Sequence, residues 1–354
     1  MTRDKLIRNF FAGFIIILCI ACCMLPVTYK GSIQQTMQEG LIIYDNGMQD
    51  LILKVSPEIS GDKTLNKFCW LITVPNEPEK YDVVDTDLFR QLYKMKTKFL
   101  DIPVKYDEES KSADKAKSAV SMAADVELGI RVKVGAYDIQ PVRGVGPNAF
   151  NGLNNWLGDN GFPTEPESHM KYFIDNNFTF LCIKVNPQNQ GEGIDKSPKL
   201  KPLHMTFKSD KIYYPMKYSS QQGDFKVNLY TLTSKPIDYQ ASQKTLSKIH
   251  NKQFRQYKNV NIIDRAFHKD VKKLVKNREM SHLYFNNFSA RPNYNNGISN
   301  WKEDVFLNTT DNHSPDSRNM IYTKISWPKT IFLILGLISV VLVLFSTVKK
   351  AKAA

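Results

Sequence analysis

The 354-residue sequence predicts an α+β protein, with a mixed or antiparallel sheet and a few packed helices, between two apolar ends. Three observations support this prediction. Hydrophobic residues make up 42% of the chain, which is enough to bury a sizeable core. Stretches of alternating apolar residues, typical of strands, are interspersed with stretches of helical spacing. Each end carries an uncharged run flanked by basic residues.

The first 28 residues (1–28) have the layout of a secretory signal peptide or an uncleaved signal anchor. Basic residues precede an apolar run from Phe10 to Val27. The run is close to the minimum length for spanning a bilayer, so length alone does not separate the two interpretations. Ala21-Cys22-Cys23 offers small residues to a signal peptidase. The stretch Cys19–Cys22 only partly resembles a lipoprotein cleavage box, because a cysteine stands where a leucine-like residue is expected.

Residues 327–348 predict a transmembrane helix. No charged side chain lies between Thr330 and Val348, and Trp327 stands where an indole favours the membrane interface. The tail 349–354 holds three lysines, which are expected to stay in the cytoplasm. Because the basic N-terminus is also expected inside, the sequence predicts a single-pass or two-pass membrane protein whose main domain is extracytoplasmic.

Residues 29–240 predict the exported α+β domain. The turn Asp45-Asn46-Gly47 between two apolar stretches predicts a β-hairpin. The apolar run from Phe68 to Val74 predicts a buried strand. We expect Asp85 to be the N-cap of a helix, which is a simpler interpretation than a metal-binding pair with Asp87.

Alternation from Val126 to Val134 predicts a half-buried strand that continues past Gly135. Apolar residues at helical spacing over 149–157 then predict a helix, and Gly161 is expected to end it.

A second helix is predicted next, started by a capping box of Thr164 and Glu167. The stretch 178–185 predicts another buried strand. Further along, Ser209-Asp210 is the expected turn of a hairpin, and alternation over 225–229 predicts a strand with one apolar face.

Residues 241–326 are predicted to form a basic and Asn-rich membrane-proximal region. From Lys244 to Arg278 the chain has 11 Lys and Arg residues against two Asp residues, and the whole chain has a formal charge of +13. Two interpretations stay open for this segment: a patch that binds lipid or an acidic polymer, or the solvated face of a charged helix. The stretch 281–319 is expected to be a stalk.

No motif of a zinc protease, a serine hydrolase or a phosphate-binding loop is present, and the six histidines lack metal-ligand spacing. The sequence therefore predicts no catalytic, cofactor-binding or metal-binding residue, and His169 is expected to be a surface or packed side chain. Nucleic acid is not an expected partner, because the body is predicted outside the cytoplasm and carries no nucleic-acid-binding motif.

Three of the five cysteines lie in the N-terminal apolar run, which leaves Cys69 and Cys182 in the body. Two interpretations are open: one disulfide, which requires the two predicted strands to be neighbours, or two buried free thiols.

Several phrases occur in an order that resembles a bacterial family of exported proteins labelled domain of unknown function 2330. They are FCWLITVPNEPEKYDVVDTDLFRQL, VGAYDIQPV, LNNWLGDNGF with YFIDNNFTFLCIKV, and LKPLHMTFKSDKIYYPMKYSS. The resemblance covers roughly residues 36 to 235. It implies an exported protein with a signal sequence and often a C-terminal tether, and it implies no activity, cofactor or catalytic residue.

The leading hypothesis is a non-enzymatic binding or structural module of the cell envelope. Its expected partners are membrane lipid, an anionic envelope polymer or another envelope protein. The alternatives are an envelope hydrolase whose site is assembled from residues distant in sequence, and an accessory subunit of a membrane complex.

Overall fold

A computed structural model describes the body of the chain. The residues it describes are 23–24, 31–61, 67–98, 121–123, 125–186, 199–222, 225–238, 240–242, 245, 255–258, 269–278, 280, 283–290 and 303–311. No helix among them is long and apolar enough to cross a membrane. The predicted transmembrane segment 327–348 and most of the predicted leader 1–28 lie outside these residues.

Four α-helices occur in the described ranges: α1 Leu88–Lys98, α2 Ala149–Asp159, α3 Glu167–Asp175 and α4 Lys269–Asn277. The strands are β1 Cys23–Met24, β2 Gly31–Asp45, β3 Met48–Gly61, β4 Phe68–Val74, β5 Lys80–Val83, β6 Ser121–Ala123, β7 Val126–Leu128, β8 Val132–Val134, β9 Tyr137–Gly144, β10 Thr179–Val185, β11 Leu203–Lys208, β12 Ile212–Tyr214, β13 Lys226–Thr233, β14 Ile237–Asp238, β15 Arg255–Lys258, β16 Tyr284–Ala290 and β17 Val305–Thr309.

The strands form three sheets. The first has the order β1-β4-β10-β9-β7-β6, with β8 also paired to β9, and the second has the order β15-β16-β13-β2-β3-β11-β5. The third contains β12, β17 and β14, with β17 in the middle. The described strand pairs are antiparallel except for the parallel pair β2–β13. The α+β class with mixed sheets and a few helices is therefore confirmed.

The predicted hairpin around Asn46 is confirmed, and it forms the centre of the second sheet. Asp45 pairs with Met48, and the two turn residues have positive φ angles of 44° at Asn46 and 79° at Gly47. Two positive φ angles are what a type I′ turn requires, and this turn matches the twist of the flanking strands. The strands are longer than the sequence suggested, at 15 and 14 residues.

The second sheet separates two hydrophobic cores. In β2, Ile42 faces the larger core, whereas its neighbours Leu41 and Ile43 face the smaller core. Successive side chains of a strand point to opposite faces, so this sheet is buried on both sides. Such a strand segment is expected to be a continuous apolar run, as residues 41–44 of β2 are.

The larger core contains side chains of the first two sheets and of helices α2 and α3. Strand β4 is buried along its whole length, and β10 is buried except at Lys184, as predicted for both apolar runs. The two predicted helices are present, and they pack Leu153, Met170 and Phe173 into this core.

The prediction that a strand continues past Gly135 is wrong. Gly135 has a φ of +55°, a conformation that favours glycine, and it lies in a turn between β8 and β9. Val134 pairs with Tyr137 across this turn, so the chain forms a tight hairpin.

The prediction of a hairpin at Ser209-Asp210 is also wrong, because β11 and β12 belong to different sheets. Strand β11 pairs with β3 and β5, whereas β12 pairs with β17. The Gln49 side chain of β3 explains the divergence. It donates a hydrogen bond to the Tyr213 carbonyl (2.7 Å) and accepts one from the Tyr213 amide (2.8 Å), which satisfies both backbone groups.

The two predicted helix starts have different outcomes. Asp85 is confirmed as a capping residue, since its Oδ1 accepts a hydrogen bond from the Asp87 amide at 2.9 Å. The capping box of Thr164 and Glu167 is wrong, because the N-cap of α3 is Pro166 and has no side-chain cap.

The described part of the membrane-proximal region belongs to the same packed body. Strands β15 and β16 extend the second sheet, and β17 is the central strand of the third. Helix α4 contributes Val271 and Val275 to the smaller core. The stretch 281–319, expected to be a stalk, therefore supplies two strands to the sheets.

Candidate binding surface on the second sheet

Helices α1 and α4 cover the same face of the second sheet. Both contribute to the smaller core, α1 with Leu88, Phe89 and Leu92, and α4 with two valines. Their N-terminal ends lie close together. The backbone amide of Asp85, three residues before α1, donates a hydrogen bond to a carboxylate oxygen of Asp270 at 3.4 Å. The two helices therefore present their outer sides on the same face of the second sheet.

Helix α4 is amphipathic in a way that turns lysines to the solvent. Val271 and Val275 are buried, whereas Lys269, Lys273 and Lys276 are exposed. Residues three, four and seven apart lie on one face of a helix, so these lysines form a stripe along its outer side. The described helix thus has a solvated, lysine-rich face, and the binding of lipid or an acidic polymer to it stays a prediction.

Helix α1 extends this surface. Its exposed residues include Arg90, Tyr93 and Lys94, and the Tyr93 side chain is 59% exposed. Arg90 forms an ion pair with Asp87 one turn earlier, so it adds little net charge. We name the exposed basic and aromatic residues of both helices together the α1–α4 surface: Arg90, Tyr93, Lys94, Lys269, Lys273 and Lys276.

A buried polar cluster beneath this surface fixes the end of α4 to the sheet. Arg278 follows the last turn of α4 and donates from Nε to Asp50 Oδ2 at 2.6 Å. The other oxygen of Asp50, in β3, lies 2.9 Å from His204 Nε2 and accepts a hydrogen bond from Thr206 Oγ1 at 2.6 Å. The Asp50 and His204 side chains are each only 3% exposed.

The Asp50 carboxylate is ionised in this cluster. Burial by itself would raise its pKa, but the hydrogen bonds from His204 and Arg278 outweigh burial and lower the pKa of Asp50 from 3.8 to about 2. The carboxylate can therefore compensate the guanidinium that comes from α4.

The geometry of this cluster favours positioning over catalysis. In a hydrolase triad, the carboxylate and the nucleophile bind opposite nitrogens of the histidine ring. Here the Asp50 carboxylate and the Thr206 hydroxyl both approach Nε2 of His204, at 2.9 Å and 3.3 Å. With His204 only 2% exposed, a substrate has no access to this ring.

A second pair of a histidine and a carboxylate lies at the N-terminal end of α3. His169 Nδ1 is 2.9 Å from Glu165 Oε2, and the Glu165 side chain is fully buried. Burial raises the pKa of Glu165, and hydrogen bonding to His169 and Tyr218 opposes the rise. Asn154 of α2 fixes the Glu165 backbone through two hydrogen bonds of 2.8 and 2.9 Å. These contacts hold α2 and α3 together. The His169 side chain is 25% exposed, which fits the predicted surface or packed side chain.

A third buried carboxylate, Asp304, joins β17 to the segment after β12. It accepts hydrogen bonds from the amides of Met216 (2.9 Å) and Lys217 (2.7 Å) and from the Tyr213 hydroxyl (3.2 Å). Burial raises the pKa of Asp304 to about 6, although these donors oppose the rise.

The predicted cysteine pair lies on neighbouring strands. Cys69 of β4 is opposite Lys184 of β10, and Cys182 is opposite Leu71, so the two cysteines are diagonal neighbours on one face. Both thiols are buried and free in this structure. Burial raises the pKa of Cys69 to about 11 and that of Cys182 well above its usual value, so neither is a reactive thiolate. The two strands are neighbours, as a disulfide requires, but diagonal neighbours lie about 7–8 Å apart, which is farther than a disulfide spans without backbone movement. The bond itself stays a prediction.

Within the described ranges, no three His, Cys, Asp or Glu side chains are grouped to hold a metal ion. Sequence reasoning missed Asp50, Arg278 and Tyr93. Asp50 stands immediately before the apolar run of β3, and a charge beside such a run is a signal for a buried ion pair. Tyr93 gives no such signal, because its exposure depends on where α1 is placed.

A family model described as an uncharacterized protein conserved in bacteria (DUF2330) matches residues 19–293. The crystal structure of baculovirus P35 is similar, with a TM-score of 0.40 and 12% identity over 81% of this chain and 99% of that chain. The caspase-8/P35 complex is similar with a TM-score of 0.37 and 10% identity over 77% and 96%. At these values the likeness supports no inference about function. No curated protein matches the chain.

Proposed function

The chain belongs to DUF2330, a family of uncharacterized proteins conserved in bacteria, and from this premise we propose that it is a non-enzymatic binding module of the cell envelope. Its C-terminal apolar segment, 327–348, holds the body at the outer face of the membrane. The α1–α4 surface then binds the anionic phospholipid headgroups of that membrane.

The observation that supports this function is the composition of the α1–α4 surface. The nine residues of helix α4 include four lysines and one aspartate. Each basic side chain close to an anionic leaflet contributes about 1 kcal/mol to binding. The three exposed lysines Lys269, Lys273 and Lys276 would thus supply about 3 kcal/mol.

The exposed tyrosine favours lipid over a soluble polymer as the partner. Tyrosine side chains are enriched at membrane interfaces, where the ring contacts acyl chains and the hydroxyl stays hydrated. Tyr93 is the most exposed of the large hydrophobic side chains in the described ranges, and it lies among the basic residues. A tether in the same chain would also raise the effective concentration of this surface at the membrane.

Vesicle binding tests the surface. Both cores lie within residues 31–311 and strand β1 lies at 23–24, so a chain of residues 23–326 contains all the described packing. We expect this chain to sediment with vesicles that contain phosphatidylglycerol at low salt, but not with vesicles of phosphatidylcholine alone. Reversing the charge of Lys269, Lys273 and Lys276 to Glu should weaken binding about 100-fold or more.

The matched control reverses three exposed lysines outside the two helices: Lys67, Lys199 and Lys211 to Glu. It changes the net charge equally and should bind far better than the α4 variant. An equal loss of vesicle binding in both variants would show that net charge alone attracts the protein to the vesicles. Binding to a soluble acidic polymer without binding to vesicles would show that the partner is an acidic polymer and not lipid.

Protease treatment of intact cells tests the location. A protease added outside should digest the body and leave the C-terminal segment in the membrane. Digestion that requires cell lysis would contradict the extracytoplasmic location.

A further inference from the structure

A row of polar side chains crosses neighbouring strands of the second sheet, on the face that carries the smaller core. In register, Lys54 of β3 pairs with Glu39 of β2, Glu39 with Asn228 of β13, and Asn228 with Ser289 of β16. Glu39 is two residues from Leu41, which belongs to the smaller core, so the row lies on that face. We name Lys54, Glu39, Asn228 and Ser289 the polar row.

The polar row can be reached from solvent. The side chains of Lys54 and Glu39 are 24% and 12% exposed, and Asn228 is half-buried. Further from the core along β3, Ser56 is half-buried and Glu58 is exposed. The row therefore lies at the boundary between the covered and the solvated part of this sheet face.

Several oxygen atoms in and beside the row have no hydrogen-bond partner among the described residues. Oε2 of Glu39 accepts a hydrogen bond from Lys54 at 2.9 Å, which leaves Oε1 for another donor. The Asn228 amide has no partner in the same ranges. Next to the row, Asn287 is only 2% exposed, and its Oδ1 has no partner either. Buried polar atoms are nearly always hydrogen-bonded, so this oxygen indicates a donor from outside the chain.

The spacing of these acceptors suits a small molecule with two neighbouring hydroxyl groups. Glu39 and Asn228 lie on adjacent strands, which are about 4.8 Å apart. Asn228 and Asn287 are diagonal neighbours across β13 and β16, and such residues lie about 7–8 Å apart. A hydroxyl both donates and accepts, so it can donate to Glu39 or an amide oxygen and accept from Lys54. Because Lys54 and Glu39 neutralise each other, the row favours such a neutral group over a charged one.

Tyr93 connects the polar row to the α1–α4 surface. The ring of Phe89 in α1 contacts the ring of Tyr230, with centroids 6.5 Å apart, and Tyr93 lies one turn further along the helix. Burial raises the pKa of Tyr230, and the charges of Glu39 and Tyr93 raise it further, so these groups lie within electrostatic range of one another. A lipid headgroup that contacts Tyr93 is therefore close to the row.

We propose that the polar row binds the glycerol headgroup of phosphatidylglycerol, with one hydroxyl on Glu39 and the other between Asn228 and Asn287. The inference rests on the proposed function and adds a preference to it. The exposed lysines attract any anionic lipid, whereas the row selects the lipid whose headgroup has two neighbouring hydroxyls. Phosphatidylserine has the same net charge but an ammonium and a carboxylate instead. A site built to bind hydroxyls rejects a headgroup that lacks them, because its own polar groups are then left unpaired.

Native mass spectrometry of the full chain in a neutral detergent tests this preference. The protein is mixed with equal amounts of phosphatidylglycerol and phosphatidylserine that have identical acyl chains, and the lipids retained on the protein are counted. The wild type should retain about tenfold more phosphatidylglycerol, the ratio expected from two additional hydrogen bonds.

Two variants remove the row from different strands. Glu39→Ala and Asn228→Ala should each lower the ratio of the two lipids towards one, while the exposed lysines still hold lipid. The matched control is Glu58→Ala, which makes the same change of charge as Glu39→Ala on the exposed part of β3 and should keep the ratio. Since the two variants act on separate strands, a folding defect in one leaves the other as the test.

The outcomes separate this inference from the proposed function. Equal retention of the two lipids by the wild type would overturn the inference alone, whereas retention of neither lipid would overturn both. A preference that survives in Glu39→Ala and Asn228→Ala would place the selectivity outside the polar row. Binding of a soluble sugar chain, tri-N-acetylglucosamine, with no preference for phosphatidylglycerol would show that the row binds a glycan and not a lipid headgroup.

Discussion

At the scale of single residues, Asp50 decides how helix α4 is held. It is the shared partner of Arg278, His204 and Thr206, and it is buried in β3. We expect Asp50→Asn to reduce the free energy of unfolding by about 3–5 kcal/mol, because it leaves the partly buried guanidinium of Arg278 without a countercharge. Urea unfolding of residues 23–326 measures the change.

The control for this substitution is Asp138→Asn. Asp138 binds Arg131 at 2.7 Å, in a pair whose arginine is 54% exposed. Exposed pairs contribute about 0–1 kcal/mol, so this variant should stay close to the wild type. Equal losses in the two variants would show that the buried cluster has no special role.

Asp304 should give stability an unusual dependence on pH. Its pKa is raised from 3.8 to about 6 in the folded state, so the folded protein binds this proton more tightly than the unfolded chain. The contribution of Asp304 to stability therefore rises as pH falls from about 6 to 3.8, by about 3 kcal/mol. Asp304→Asn should remove that rise, and denaturant unfolding at pH 7, 5.5 and 4 measures it.

Below pH 4 the sign changes, because Asp50 then dominates. Its folded pKa of about 2 lies below the usual 3.8, so its contribution is present above pH 4 and is lost as pH falls toward 2. A wild-type profile that falls steadily from pH 7 to pH 4, with the same profile for Asp304→Asn, would contradict the role given to Asp304.

At the scale of elements, the central hairpin depends on one glycine that allows close packing. A Cβ on Gly40, in β2, would clash with Cε2 of Tyr214, a fully buried ring in β12. Gly40→Ala should therefore lower the free energy of unfolding by about 1–3 kcal/mol through overpacking between the second and third sheets. Thermal unfolding followed by far-UV circular dichroism measures this loss.

Gly158→Ala serves as the comparison for this element. Gly158 is exposed in helix α2, and its added Cβ would come no closer than 4.0 Å, to Cγ2 of Thr164. Alanine is the better helix former by about 1 kcal/mol, so this variant should be more stable than the wild type. If Gly40→Ala stabilised the protein, the Tyr214 ring would have moved away from the new methyl group without a loss of stability.

At the scale of the whole molecule, the second sheet should make unfolding a single event. Its central strands face both cores, so neither core can separate without disrupting the same strands. We expect Leu153→Ala in the larger core and Val275→Ala in the smaller core to shift one common transition. Leu153→Ala should cost about 2–5 kcal/mol.

The measurement is coincidence of two signals during urea unfolding: far-UV circular dichroism and tryptophan fluorescence, to which buried Trp70 contributes together with the other tryptophans of the chain. Val275→Ala should move both curves together. A separate early transition in that variant would show that α4 and the smaller core unfold independently.

The sequence by itself determined the elements whose signals are local. The apolar runs of β4 and β10, the Asn46-Gly47 turn, the helices α2 and α3 and the capping role of Asp85 follow from periodicity, turn chemistry and backbone preferences. The basic composition of Lys244–Arg278 was evident in the same way, and so was the family. These features depend on neighbours a few residues away, and the sequence displays such neighbours directly.

Only the tertiary structure decided how these elements are joined. Gln49 and Tyr213 are more than 160 positions apart, yet their hydrogen bonds send β12 to the third sheet. Asp50 meets Arg278 across 228 positions, and that contact fixes the end of α4 to the second sheet. Cys23 pairs with Trp70 along the edge of β4, a contact that the sequence does not display. Contacts between distant residues leave no periodic trace in the sequence, because their free energy depends on a shared position in space.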